Sequence, residues 1–284
     1  MKNRKWLHLV LILLCLMAFL GYRALDRLNT DTTAPVISIG TEALQLSVQD
    51  PETQLLQGVS ARDETDGDVS ASLVVESVQL EAADGLVSVR YAAFDKAGNV
   101  AKSERQVQYT DYESPRFSLS EPLVFAQNSS FDVFRIVEVQ DVLDGDITHR
   151  LRATSLDETS ITTVGVHDVE FRVTNSLGET VKLVLPVEVY ASGAYQANLL
   201  LTDYLIYLPT GTFFDEESYL ETFTAGAEKT SLLGGLPSGF SLKTTGNVDT
   251  STPGVYSVAY TVTYNKGSGT TCTGYSKLIV VVEG

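Results

Sequence analysis

The sequence predicts an all-β protein: a tandem array of three small β-sandwich domains behind an apolar N-terminal helix. The first observation is a repeat. A glycine is followed four residues later by Val, six later by an aromatic residue and thirteen later by a second glycine. The copies are Gly85/Val89/Tyr91/Gly98, Gly165/Val169/Phe171/Gly178 and Gly254/Val258/Tyr260/Gly267, with first glycines 80 and 89 residues apart. A period of that length is a repeated domain, not a short solenoid unit. The second observation is period-two alternation after each first glycine, which sets one row of side chains toward a core and the other toward solvent. The third is that no long helical period follows the N-terminal run.

That run, Trp6 to Tyr22, carries no formal charge over 17 residues, the short end of the ~17–25 that span a bilayer. Lys2, Arg4 and Lys5 precede it, and Trp6 and Tyr22 bracket it, as positive-inside orientation and interfacial aromatics require. The expectation is a short cytoplasmic end (1–5), a transmembrane signal anchor (6–22) in the cell membrane, a linker (23–33) and extracellular C-terminal domains. The rival is a cleaved signal peptide and secretion. Arg23 and Arg27 crowd the place of cleavage, and no small-x-small site follows the run.

The three domains are expected at 34–111, 114–190 and 197–284. Asp31 stands four residues before Pro35, and Asp111 four before Pro115; proline stiffens such junctions and is excluded from central strands. Val89, Tyr91 and Ala93 then share one face, as do Val169, Phe171 and Val173, and Val258, Tyr260 and Val262. The second glycine of each copy closes a turn, as in Asp95-Lys96-Ala97-Gly98-Asn99. A final strand follows, so each domain ends in a hairpin, the pattern of a sandwich. The third domain lacks the proline junction, lengthens its final hairpin around Cys272, and is expected at the tip. Residues Phe214 to Leu220 fit one short helical turn at most.

Charge narrows the function classes. The chain carries −16 in total; residues 1–28 account for +4, which leaves −20 on the remainder. An acidic surface repels phosphate backbones, so nucleic acid is a poor partner. Cys15 sits in the apolar N-terminal run and Cys272 in the last domain; with one in lipid and the other in a distal domain the two cannot pair, so no internal disulfide is expected. Of the three histidines, His8 lies in the apolar run, His149 follows an Asp-Gly-Asp turn, and His167 occupies a strand position held by Val87 and Tyr256 in the sister copies. No nucleophile elbow, phosphate loop or zinc spacing is present. The reading is that the protein is not an enzyme. Leu208-Pro209-Thr210-Gly211 lacks the residue that a sortase signal places between Pro and Thr, and reads as a turn.

A second signature joins the first two domains. Val59, Ala61, Asp63, Asp66, Gly67 and Asp68 match Val137, Val139, Asp141, Asp144, Gly145 and Asp146 position for position. Carboxylates packed this closely offer oxygen ligands to Ca²⁺, which takes 6–8 of them. Asp95 and Asn99 approach from the final hairpin of the first domain. The candidate metal set is therefore Asp63, Asp66, Asp68, Asp95, Asp141, Asp144 and Asp146. The competing reading weighs more: Asp-Gly favours tight turns, and Asp side chains satisfy turn amides. The second domain has Asn175 and Glu179 where the first has Asp95 and Asn99, which makes a shared site uneven.

Together, Asp66-Gly67-Asp68, the Gly85 to Tyr91 spacing, Asp95-Lys96-Ala97-Gly98-Asn99 and the final strand with Val107 and Tyr109 resemble bacterial immunoglobulin-like surface repeats. The nearest type is the Ig-like repeat named after a pesticidal crystal protein. The resemblance covers 34–190. In the third domain Val248 to Tyr256 is similar to the class, and 197–245 is not. The resemblance implies three Ig-like β-sandwiches, a surface location, and a role in adhesion or spacing without catalysis. The expected function is a stalk that presents a terminal domain to a protein or glycan ligand. The alternative is an envelope assembly component that contacts sister proteins. The dense aromatics of the third domain (Tyr195, Tyr204, Tyr207, Phe213, Phe214, Tyr219, Phe223) are read as core first and as a binding patch second.

Overall fold

The computed structural model describes residues 2–29, 31–130, 132–156, 162–265, 267 and 269–284; side chains of 2–5, 7, 9 and 24–29 lie outside that description. Among the described residues it is one α-helix followed by strands in several sheets, with short 3₁₀ turns between them. The chain divides into two compact units, Met1–Asp111 and Tyr112–Gly284.

The first unit opens with helix α1, Lys2–Asn29. Among the described residues, no helix is long and apolar enough to cross a membrane. The expected single-pass anchor, and the membrane localisation built on it, are therefore corrected. The physical reason lies in length. At ~1.5 Å per residue the uncharged run Trp6–Tyr22 covers about 25 Å, short of a hydrocarbon core about 30 Å thick. Charged residues close it on both sides, and His8 interrupts it.

After α1 come β1 (Val36–Ile39), β2 (Leu44–Leu46), β3 (Val59–Asp63), β4 (Gly67–Asp68), β5 (Val74–Ala82), β6 (Leu86–Phe94) and β7 (Val100–Tyr109). They form a three-stranded sheet, β1-β3-β4, and a four-stranded sheet, β2-β7-β6-β5, in which β2 runs parallel to β7. The alternation of β6 is realised as Val87, Val89, Tyr91 and Ala93, all fully buried. Burying a valine such as Val87 or Val89 contributes roughly 1.5–3 kcal/mol. Tyr91 also donates its hydroxyl to the Leu55 carbonyl at 2.7 Å, which fixes the 3₁₀ turn Glu52–Leu56 over the core. The Arg105 guanidinium donates to the same carbonyl and lies 5.6 Å from the Tyr91 ring centroid.

The second unit repeats this plan and then departs from it. Strands β8 (Arg116–Leu119), β9 (Val124–Ala126), β10 (Val137–Asp141), β11 (Gly145–Asp146), β12 (Arg152–Ser155), β13 (Gly165–Thr174) and β14 (Thr180–Tyr190) form sheets β11-β10-β8 and β12-β13-β14-β9. Strands β15 (Ala197–Leu201), β16 (Leu205–Pro209), β17 (Leu220–Ala225), β18 (Glu228–Ser231), β19 (Phe240–Thr245), β20 (Gly254–Asn265) and β21 (Thr271–Glu283) share one seven-stranded sheet. The order is β18-β17-β15-β21-β20-β19, and β16 pairs with β21 beside β15. Both β15 and β16 run parallel to β21, at Ala197–Asn198 and Leu205–Pro209. The lengthened hairpin is present as β20–β21, paired from Gly254/Val282 to Asn265/Thr271. The short helical turn expected near 214–220 is Glu216–Tyr219, capped by the Asp215 carboxylate on the Glu217 amide.

One hydrophobic core runs through the whole of this unit. Phe117, Val137, Phe171 and Leu185 belong to the same buried cluster as Leu199, Phe223, Tyr260 and Val280. A tight turn, closed by Ala194 N–H on the Ala191 carbonyl, is all that separates β14 from β15. The assembly at 197–284 is thus joined to its neighbour by a common core and is not a free tip.

Candidate functional site

In the first unit three carboxylates converge. Asp31 comes from the segment ahead of β1, Asp63 from the end of β3, and Asp95 from the turn after β6. One oxygen of each lies within 4.8 Å of the others. Asp63 is 2% exposed and Asp95 9%. Local bonds set their orientation. Asp63 Oδ1 accepts from the amides of Thr65 (2.8 Å) and Asp66 (2.9 Å), and Asp31 Oδ1 from that of Thr33 (2.9 Å). Asp95 accepts from the Asn99 amide at 2.8 Å and its side-chain Nδ2 at 2.7 Å. Asp31 Oδ2 and Asp63 Oδ2 are buried and accept no hydrogen bond among the described residues.

Of the seven carboxylates expected from the sequence, only Asp63 and Asp95 join this cluster. Asp66 turns to the Lys96 amide (2.8 Å) and ammonium (3.1 Å), which hold its carboxyl below the usual range. Asp68 and Asp146 cap the turns that follow them, on the Ser70 and Thr148 amides, both at 2.9 Å. The hydroxyl and then the amide of that same residue lower each carboxyl. Asp144 is raised by burial, but Ser176 and Arg150 outweigh this and leave it lowered. These four carboxylates brace or cap turns and lie outside the three-carboxylate cluster. The glycines between them, Gly67 (φ +75) and Gly145 (φ +71), supply the left-handed backbone that the tight turn demands.

Asp141 is buried at the counterpart of Asp63, but its neighbours differ. Asn175 Nδ2 donates to Asp141 Oδ2 at 3.0 Å and to the Tyr112 hydroxyl at 2.8 Å. Tyr112 in turn donates to Glu179, which also accepts from Ser114 Oγ at 2.6 Å. Burial, and then the bond to Glu179, push the Tyr112 phenol well above its ordinary range. Asp111, the sequence counterpart of Asp31, is used within the first unit, on Ser47 Oγ (2.6 Å) and the Val48 amide (2.8 Å). An amide and a phenol thus stand where the first unit places carboxylates. Asp141 is a member of this network and not of the three-carboxylate cluster. Asp31 is the residue that motif reading missed. Its signal was the shared spacing of Asp31 and Asp111 before a proline, which reads as a junction.

A second feature lies at the seam inside the second unit. Tyr195 stacks on Tyr275 at 4.8 Å between ring centroids, and Tyr190 meets Tyr195 edge-on at 4.9 Å. Glu188 of β14 accepts from the Tyr275 hydroxyl (2.8 Å) and from the Lys277 ammonium (2.7 Å). Lys277 is 6% exposed, so its charge is held inside the protein by that pair. Across the seam Arg116 lies over the Tyr207 ring at 4.8 Å, and the Phe117 amide donates to the Tyr207 hydroxyl at 3.0 Å. Beside the stacked tyrosines opens a cleft of about 480 Å³, lined by Glu121, Phe125, Tyr190, Tyr195, Asn198 and Tyr275 among others. His167, 4% exposed, has Nε2 2.8 Å from the Thr163 carbonyl and sits in a strand.

No protein-family model matches the chain. An uncharacterized 81.3 kDa protein of Acholeplasma phage L2 is 47% identical over 49 residues, which make up 17% of this chain and 7% of that protein. The chain thus spans a small part of the relative's length. Among solved structures, Drosophila N-cadherin EC1-4 is similar over 88% of this chain and 76% of its own, at 13% identity and a TM-score of 0.22. A CBM51-2 and INT structure from Clostridium perfringens ZmpB, in complex with GlcNAc, is similar over 60% of this chain and 32% of its own, at 16% identity and a TM-score of 0.22. The lipoprotein BT2262 of Bacteroides thetaiotaomicron is similar over 58% of this chain and 99% of its own, at 13% identity and a TM-score of 0.22. At TM-scores this low the similarity carries no argument about fold or function.

Proposed function

We propose that the protein is a non-catalytic binding protein. The first sandwich acts as a spacer, and the fused second unit presents the ligand-binding surface. The observation that carries this reading is the tyrosine-lined cleft beside the seam. Tyrosines offer a large apolar face and a hydroxyl, and bury much area for little lost freedom. Glu121 and Asn198, both exposed in the same lining, add hydrogen-bonding groups. The ligand class that fits is a molecule with apolar faces and dense hydroxyl or amide groups, as in a glycan or a protein surface.

The test is binding of the full chain to arrayed glycans and to purified surface proteins, compared with Tyr195→Ala and Glu121→Gln. The reading predicts a ligand whose affinity falls at least tenfold in Tyr195→Ala and also falls in Glu121→Gln, which changes an exposed side chain and should leave the melting temperature near wild type. A ligand held equally by wild type and both variants would move the site away from the cleft. Turnover of a bound compound would overturn the non-catalytic reading.

A further inference from the structure

The three carboxylates of the first unit pose a problem of charge. Asp63 and Asp95 are buried and Asp31 half-buried; like charges so placed are costly unless protons or a cation neutralise them. The nearby ammonium of Lys96 is committed to Asp66, and no ion pair is made by Asp31, Asp63 or Asp95 among the described residues. The neighbouring donor, Asn99, reaches only Asp95 with its side chain and spends its other contacts on the carbonyls of Asp31 and Thr33. Two oxygens, Asp31 Oδ2 and Asp63 Oδ2, are left buried without a donor. Amides of the two turns hold the other oxygen of each carboxylate, so these two are fixed in place. All three donors are hard oxygens, the set that selects Ca²⁺ or Mg²⁺ over softer metals. Ca²⁺ bonds oxygen at ~2.4 Å, so oxygens within 4.8 Å of one another fall within reach of one ion.

We propose that Asp31, Asp63 and Asp95 hold one Ca²⁺ ion, which clips the segment ahead of β1 onto the end of the first sandwich. The second sandwich supplies an internal contrast. There Asn175 replaces the third carboxylate, and its side-chain amide donates to Asp141 Oδ2 and to the Tyr112 hydroxyl, so the carboxylate oxygen has a donor from within the chain. The first sandwich keeps an ion where the second carries a hydrogen-bonded plug. The proposal is independent of the cleft and of any ligand bound there.

The experiment is equilibrium dialysis of the full chain against radiolabelled Ca²⁺ up to about 10⁻³ M, the weak end of extracellular sites, together with melting in Ca²⁺ and in chelator. The expected result is one Ca²⁺ per chain and a higher melting temperature with Ca²⁺. Asp63→Asn and Asp31→Asn should each weaken binding at least tenfold. Asp68→Asn, which alters the Asp-Gly-Asp turn and not the cluster, should bind as wild type does. Identical melting in Ca²⁺ and chelator with no bound ion would overturn the proposal, as would binding lost in Asp68→Asn but kept in Asp63→Asn. The melting comparison needs only the wild-type chain, so a variant that fails to fold leaves the proposal exposed to refutation.

Discussion

At the scale of single residues, the buried ion pair is the sharpest test of the seam. Glu188 serves both Lys277 and Tyr275, so its removal strands an ammonium that is almost fully buried. Glu188→Gln should cost roughly 3 kcal/mol, the order seen when one partner of a buried pair is lost, and Tyr275→Phe about 1 kcal/mol; urea titration measures both. Burial, and then the Glu188 bond, raise the Tyr275 phenol above its ordinary 10.0, and burial raises Tyr260 and Tyr112 likewise. The folded values exceed the unfolded one, so this stability is complete below pH ~10 and is lost as pH rises beyond it. Melting temperature against pH should therefore turn downward above about pH 10, and a curve flat to the highest pH measured would contradict the burial of these phenols. None of these partnerships was legible in the sequence. Glu188 and Lys277 stand 89 residues apart and carry no motif.

At the scale of elements, the hairpins were legible because their physics is local. Alternation in β6, β13 and β20, with a glycine at each end, states both the strand and its buried face. The Asp-Gly-Asp turns were legible as turns for the same reason. Which of their carboxylates converge was not legible, since proximity along the chain does not set where a carboxylate points: Asp63 joins Asp31 and Asp95, while Asp66 turns to Lys96 and Asp68 to Ser70. What escaped was any contact that depends on a distant carbonyl. Gly246 ends β19, and a methyl group there would sit 2.2 Å from the Ser257 carbonyl oxygen, at a φ of +113. Gly246→Ala should destabilise the second unit by roughly 3 kcal/mol through strain and clash, read by thermal melting. Tyr260 donates its hydroxyl to the Glu216 carbonyl at 2.8 Å, as Tyr91 does to Leu55. Tyr260→Phe leaves that carbonyl without this donor and should cost about 1–2 kcal/mol.

At the scale of the molecule, the repeat suggested three equal domains, and the division that emerges is two compact units, the second with a single core from Phe117 to Val282. Sequence periodicity counts domains but does not say which of them share a core; that depends on side chains such as Phe117 and Tyr207, which carry no period. A shared core predicts cooperativity. Residues 112–284 should unfold in one transition, coincident by far-UV and aromatic signals, whereas 112–190 alone should be poorly folded because it loses the partner of its buried face. Two separated transitions within 112–284 would refute the shared core. The parallel pairs also bear on how the protein meets tension. In β2–β7, β9–β14 and β16–β21 an early strand lies parallel to a late one. A pull along the chain therefore draws the two strands past each other and loads their hydrogen bonds together instead of unzipping them singly. The β16–β21 pair, with five residue pairs against three in each of the others, should yield to such shear last, at a higher force than β2–β7 or β9–β14 when the full chain is stretched singly.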